Sequence, residues 1–95
     1  MLFANRIKQL REGKELLQRH VSAALDMDNA MYCKIERGER RAKREQVIKL
    51  AELLLIDYRE LLVLWLADQI IIYIENDKEL AEDVLNIVQQ KIIIK

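Results

Sequence analysis

The chain has 95 residues, 52% of them hydrophobic, with no proline, two glycines and a single cysteine. That length builds one helical core and hardly a second, and one cysteine excludes an intramolecular disulfide and suits a reducing compartment. The formal net charge of zero hides a division: residues 1–50 carry twelve Lys or Arg against seven Asp or Glu, a net +5, and residues 51–95 carry four against nine, a net −5.

Phe3, Ile7 and Leu10 recur at helical spacing and predict a first helix, which Gly13 is placed to end with a left-handed residue. A second helix opens near Gln18 and turns Val21 and Leu25 inward, while Ser22, beside Ala23 and Ala24, is small enough for another helix to cross closely. Asp26-Met27-Asp28 then makes a short turn. Asp26 tolerates a left-handed backbone, and the Asp28 carboxylate accepts from the free N–H groups of the next helix. That third helix, from about Asn29 to Arg37, directs Tyr32 and Ile35 inward and stops at Gly38. Val47, Leu50, Ala51 and Leu54 mark a fourth.

The runs Leu61–Ala67 and Ile70–Ile74 are apolar on nearly every side. They predict a fifth helix covered on one face by its own domain and on the other by a second subunit. Asp68 and Gln69 interrupt a stretch already shorter than the roughly 20 residues of a bilayer span, so membrane insertion is not expected. No leader segment is read at the start of the chain, and a cytoplasmic location is expected. Trp65 serves either the interface or the monomer core, since large aromatics do both. Asn76-Asp77-Lys78-Glu79 resembles a capping box, and Leu80, Val84, Ile87, Val88 and Lys91 follow at helical spacing, predicting a sixth helix. Isoleucine's β propensity leaves a short strand at Ile70–Ile74 or Ile92–Ile94 open. The predicted fold class is all-α.

Four landmarks stand together: Arg6-Ile7-Lys8-Gln9-Leu10-Arg11, Gln18, Ile35-Glu36-Arg37-Gly38 and Leu50-Ala51-Glu52-Leu53. The sequence thereby resembles the XRE-like, Cro/repressor-type helix-turn-helix regulators of bacteria and phages over about residues 3 to 64. The resemblance implies a five-helix repressor-like DNA-binding domain at residues 1–64 and an additional C-terminal dimerisation helix within a helical extension at residues 65–95. It also implies a structural ion pair between Arg11 and Glu36. Departures from the family pattern are Leu17 where a Ser, Thr or Asn cap is usual, Glu15 and Asp26 in place of turn glycines, and Arg41-Ala42-Lys43-Arg44 in place of Asn-Pro-Ser. Losing a cap costs on the order of 1 kcal/mol, which weakens the fold locally without overturning it.

A short helix with its N-terminal turn toward base edges fits the major groove, and Asn29, Ala30, Cys33 and Lys34 share its outward face. Asn pairs with adenine, Lys donates to guanine, and Ala or Cys contacts a thymine methyl. Gln18 resembles the family residue that bonds a phosphate, with Arg19 beside it, and Arg40, Arg41, Lys43 and Arg44 stand where the family places backbone contacts. Such contacts position the protein without specifying sequence. The basic half suits phosphates and the acidic half suits a partner. Trp65, Ile70, Tyr73, Ile74, Val84 and Val88 are the expected dimer interface.

No Gly-rich phosphate loop, metal-ligand spacing or nucleophile set with a paired base is apparent, so neither enzymatic activity, cofactor nor metal is expected. His20 reads as a surface residue. Cys33 reads as a small replacement for Ser, with a redox switch as the sharper alternative. The expected function is a homodimeric, sequence-specific transcriptional regulator, a repressor by resemblance, bound to double-stranded DNA at an inverted repeat. The alternative is an antitoxin-like or adaptor protein whose C-terminal half grips a protein partner.

Overall fold

The computed structural model describes residues 1–93. Six α-helices follow in order: α1 (Leu2–Gly13), α2 (Gln18–Ala24), α3 (Asn29–Glu36), α4 (Arg44–Leu54), α5 (Tyr58–Ile74) and, after a 3₁₀ segment over Glu75–Leu80, α6 (Ala81–Ile92). Among the described residues there is no strand. Ile70–Ile74 therefore belong to α5, Ile92 closes α6, and Ile94 of the Ile92–Ile94 run lies outside the described residues with Lys95.

Helices α1 to α5 enclose one core. Ile7 of α1, Val21 of α2, Tyr32 and Ile35 of α3, Val47, Leu50 and Leu54 of α4, and Leu61 and Leu62 of α5 are all buried in it. Those of α1 to α4 are positions the sequence pattern turned inward, and each fully buried Leu or Ile stabilises the fold by about 1.5–3 kcal/mol relative to exposure. Helix α5 continues without a break across residues 64 and 65, so its N-terminal half completes the core while its C-terminal half leaves it.

The turns depart from expectation in two places. Gly13 lies inside α1, and the left-handed residue after that helix is Glu15, with φ 57°. The helix and the reversal that follows its cap both fall two residues later than a stop at Gly13 implies. The Asn76–Glu79 capping box is absent: these residues form the 3₁₀ segment, Asp77 leaves helical geometry (φ −129°, ψ 44°), and α6 starts at Ala81 without a side-chain cap. Asp26 (φ 52°) and Gly38 (φ 77°) take the left-handed conformation expected of them, and exposed Leu55 (φ 59°) does so at the end of α4.

Two contacts distant in sequence join the ends of the core. The Asp68 carboxylate of α5, only 4% exposed, accepts from the N–H groups of Leu2 and Phe3 at 2.8 and 3.0 Å. It thus satisfies two free donors at the start of α1, a cap supplied from 65 residues away. Trp65 donates its indole N–H to the carbonyl of Ala42 at 2.8 Å, tying α5 to the α3–α4 loop.

Candidate nucleic-acid interface

Helices α2 and α3 and the turn between them form the unit on which the candidate residues sit. Asp28 starts α3 by accepting from the N–H groups of Ala30 and Met31 at 3.1 and 3.3 Å. Ser22 is 3% exposed where α3 meets α2, and its hydroxyl lies 3.2 Å from the Arg19 carbonyl and 3.1 Å from Asn29 Oδ1. A larger side chain there would separate the helices and lose the link to Asn29. At the other end of α2, Leu17 has no capping group, but its N–H donates to Nδ1 of His20 at 3.1 Å. His20 thereby satisfies the first donor of α2 while remaining exposed.

Behind α3 runs a connected polar network. Arg11 grips Glu36 with two parallel bonds, Nε to Oε2 at 2.7 Å and Nη2 to Oε1 at 3.0 Å, and its Nη1 donates to the Leu16 carbonyl at 2.8 Å. Gln18 donates from Nε2 to Glu36 at 3.2 Å and accepts from the Cys33 thiol at 3.1 Å. One chain of bonds therefore ties α3 to α1, to the α1–α2 loop and to the start of α2. Burial alone disfavours the Glu36 carboxylate, but the hydrogen bonds from Arg11 and its neighbours hold its pKa below the ordinary value. The bond to Glu36 raises the pKa of Arg11 in turn. The Tyr32 hydroxyl, buried beside this pair, has no hydrogen bond of good geometry. Burial, reinforced by the Glu36 charge, pushes its pKa well above the ordinary value.

The outward residues of α3 are not equivalent. Asn29, Ala30 and Lys34 are exposed, whereas Cys33 is half-buried with its sulfur turned to Gln18. Gln18 is half-buried and Arg19 exposed. Of the basic run, Arg40, Arg41 and Lys43 lie in the α3–α4 loop and Arg44 opens α4, all exposed. Gln46 accepts from the Lys43 N–H at 2.8 Å and so orders the end of that loop. Arg41 is drawn aside: its guanidinium lies 3.8 Å above the Trp65 ring and donates to the Trp65 carbonyl at 3.2 Å.

Trp65, expected either at a subunit interface or in the monomer core, is engaged within its own chain, half-buried between Arg41 and the core. The other interface candidates lie apart from it. Ile70, Tyr73, Val84 and Val88 are exposed and Ile74 is half-buried. Helix α6 packs on the 3₁₀ segment and buries none of its residues.

Sequence reasoning missed Asp68, Asp57 and the capping role of His20. Asp57 starts α5 by accepting from the Arg59 N–H at 2.9 Å, and that bond lowers its pKa. Asp57 was legible as an Asp directly before an apolar helix. Asp68 had a weaker signal, a lone acid inside an apolar run, which requires donors when buried. Among the described residues, no helix is long and apolar enough to cross a membrane, and no three His, Cys, Asp or Glu side chains gather to hold a metal ion.

A helix-turn-helix family model matches residues 7–61, which spans α2, α3 and most of the core. No curated protein and no solved structure matches the chain.

Proposed function

The chain belongs to the XRE-like helix-turn-helix family of DNA-binding transcription regulators, and from that premise we propose that it acts as a homodimer on an inverted-repeat operator. The observation that carries this reading is the exposure of Asn29 and Ala30 in the first turn of α3 and of Lys34 in its last, with exposed Arg19, Arg40, Lys43 and Arg44 flanking them. In this reading α3 enters the major groove. Asn29 pairs with adenine, Lys34 donates to guanine, and Ala30 touches a thymine methyl, while Cys33 reaches the base edge only with the rim of its side chain. Gln18, Arg19, Arg40, Arg41, Lys43 and Arg44 engage phosphates, Arg41 after leaving Trp65. The Gln18 amide is already committed to Glu36 and Cys33, which favours a bracing contribution to α3 alongside any phosphate contact.

Residues 1–64 form the DNA-binding part and residues 65–95 the dimerisation part of this account. The exposed apolar side chains Ile70, Tyr73, Val84 and Val88, on the half of α5 and on α6 that the core leaves uncovered, support a second copy as their cover. The same face supports a second reading, an antitoxin-like or adaptor protein that holds a different protein there. Selection of bound sequences from random duplex DNA separates the two. An enriched inverted repeat with half-sites about 34–36 Å apart, one helical turn, is the expected result. Binding to every sequence alike, with strong salt sensitivity, would reject sequence-specific regulation.

A further inference from the structure

We propose that the cavity between the start of α1, the α3–α4 loop and α5 is a binding site for a small, neutral, apolar molecule about the size of one substituted aromatic ring. The cavity has a volume of about 190 Å³. Phe3, Ala4, Ile35, Ala42, Trp65 and Ile72 supply its apolar wall. An enclosed, wholly apolar protein cavity of about 150 Å³ holds benzene, whereas sites for larger ligands run to roughly 300–1,000 Å³. The present pocket is close to the smaller size, partly open to solvent, and edged by Glu39, Arg40, Arg41, Asp68 and Gln69. Size therefore selects a single ring with few substituents.

Charge selects against an ion. Arg40 and Arg41 are balanced by Glu39 and Asp68 around the cavity. Two of these groups are already committed, Arg41 to the Trp65 ring and carbonyl, and Asp68 to the N–H groups of Leu2 and Phe3. An anion would meet the buried Asp68 carboxylate, and a cation would meet the two guanidinium groups.

The walls are held open by contacts of their own. Asp68 anchors the start of α1 to α5, and the Trp65 indole anchors the loop to α5. At Gly38 a Cβ would stand 2.8 Å from Met1 Cγ, so it is the missing side chain there that lets Met1 lie against the loop at the cavity edge. A ligand consequently finds a shaped site rather than having to order one. The site lies away from Asn29 and Lys34 but shares Arg40 and Arg41 with the basic loop, and its existence does not depend on the DNA-binding reading.

Benzene is the probe. The full chain is titrated with it while the methyl signals of Met1, Ile35, Val84 and Val88 and the Trp65 indole N–H are followed by NMR. Saturable, single-site shifts at Met1, Ile35 and Trp65, with Val84 and Val88 unmoved, are expected. Ile72 is 46% exposed at the cavity wall, so Ile72→Trp fills the cavity without burdening the core, and it should abolish those shifts. Linear shifts, equal shifts at Val84 and Val88, or retained binding in Ile72→Trp would each overturn the proposal. Movement of the same cavity signals on protein dilution without benzene would also overturn it, by assigning the cavity to a second copy of the chain.

Discussion

Replacing Glu36 with Gln keeps the shape of the side chain and removes its charge, which isolates what the buried pair contributes. The Arg11 side chain is 10% exposed and that of Glu36 is 1% exposed, so the guanidinium cannot recover its lost partner from water. It retains the Leu16 carbonyl and the one remaining side-chain oxygen at position 36, while the new amide NH2 faces its other donor and repels it. Removing one partner of such a pair costs about 3–5 kcal/mol, a large share of the 5–15 kcal/mol typical of a small domain. For a domain of this size that lowers Tm by about 12 °C or more. Urea unfolding followed by far-UV circular dichroism should show a lower midpoint and an unchanged slope. Arg11→Met combined with Glu36→Leu removes both charges and should recover most of the loss, because two apolar side chains of similar volume need no counter-charge. A loss below about 1 kcal/mol in Glu36→Gln, or a double variant no more stable than the worse single one, would refute the argument that burial makes the pair indispensable once present.

The same pair sets an acid limit. The pKa of Glu36 lies below its ordinary 4.5, so its contribution is complete above that pH and is lost as pH falls through the folded-state value. Glu36→Gln should flatten that acid arm in a series of unfolding curves. Tyr32 sets the opposite limit: its pKa is raised above the ordinary 10.0, so the unfolded chain ionises first and stability should fall as pH rises past 10.0, an effect that Tyr32→Phe removes. Asp68→Ala strands the N–H groups of Leu2 and Phe3 and should cost about 1–3 kcal/mol, with faster amide exchange confined to the start of α1. Exchange that accelerates equally in α3 would contradict that local role. On the proposed operator, Asn29→Ala or Lys34→Ala should lose about 1–3 kcal/mol and relax base preference, whereas Arg44→Ala should weaken all duplexes alike and reduce the salt slope, as read by fluorescence anisotropy.

The elements that could be read from the chain alone are those whose signals are local. Ser22, Asp28 and Gly38 each constrain a turn or a crossing within a few residues of themselves, and the apolar spacing of α1 to α4 gives their buried faces directly. Arg11 and Glu36 were paired only through resemblance, since nothing in their 25-residue separation encodes a contact. The Asp68 cap on α1 and the Trp65 bond to Ala42 are long-range closures of the same kind, and no periodicity announces them. Trp65 was consequently assigned to an interface as readily as to the fold. At Asn76 the local signal itself misled: Asn and Glu at capping spacing favour a helix start, but Asp77 breaks helical geometry there and the start falls at Ala81. Glu15 shows the limit of glycine as a signal, because a left-handed position costs roughly 1–2 kcal/mol in a non-glycine residue and the surrounding fold can supply it. The proposed base-contacting face was legible as a face, yet the turning of Cys33 toward Gln18 depends on a side chain fifteen residues earlier.

The most direct measurement of the central claim is an amide chemical-shift map of the full chain on adding a duplex that carries the selected sequence. The largest changes are expected at residues 29–34, at Gln18 and Arg19, and along residues 40–44, with the exposed apolar residues of α6 unmoved. Changes concentrated on α5 and α6, with Asn29 and Lys34 unaffected, would contradict the placement of α3 in the major groove.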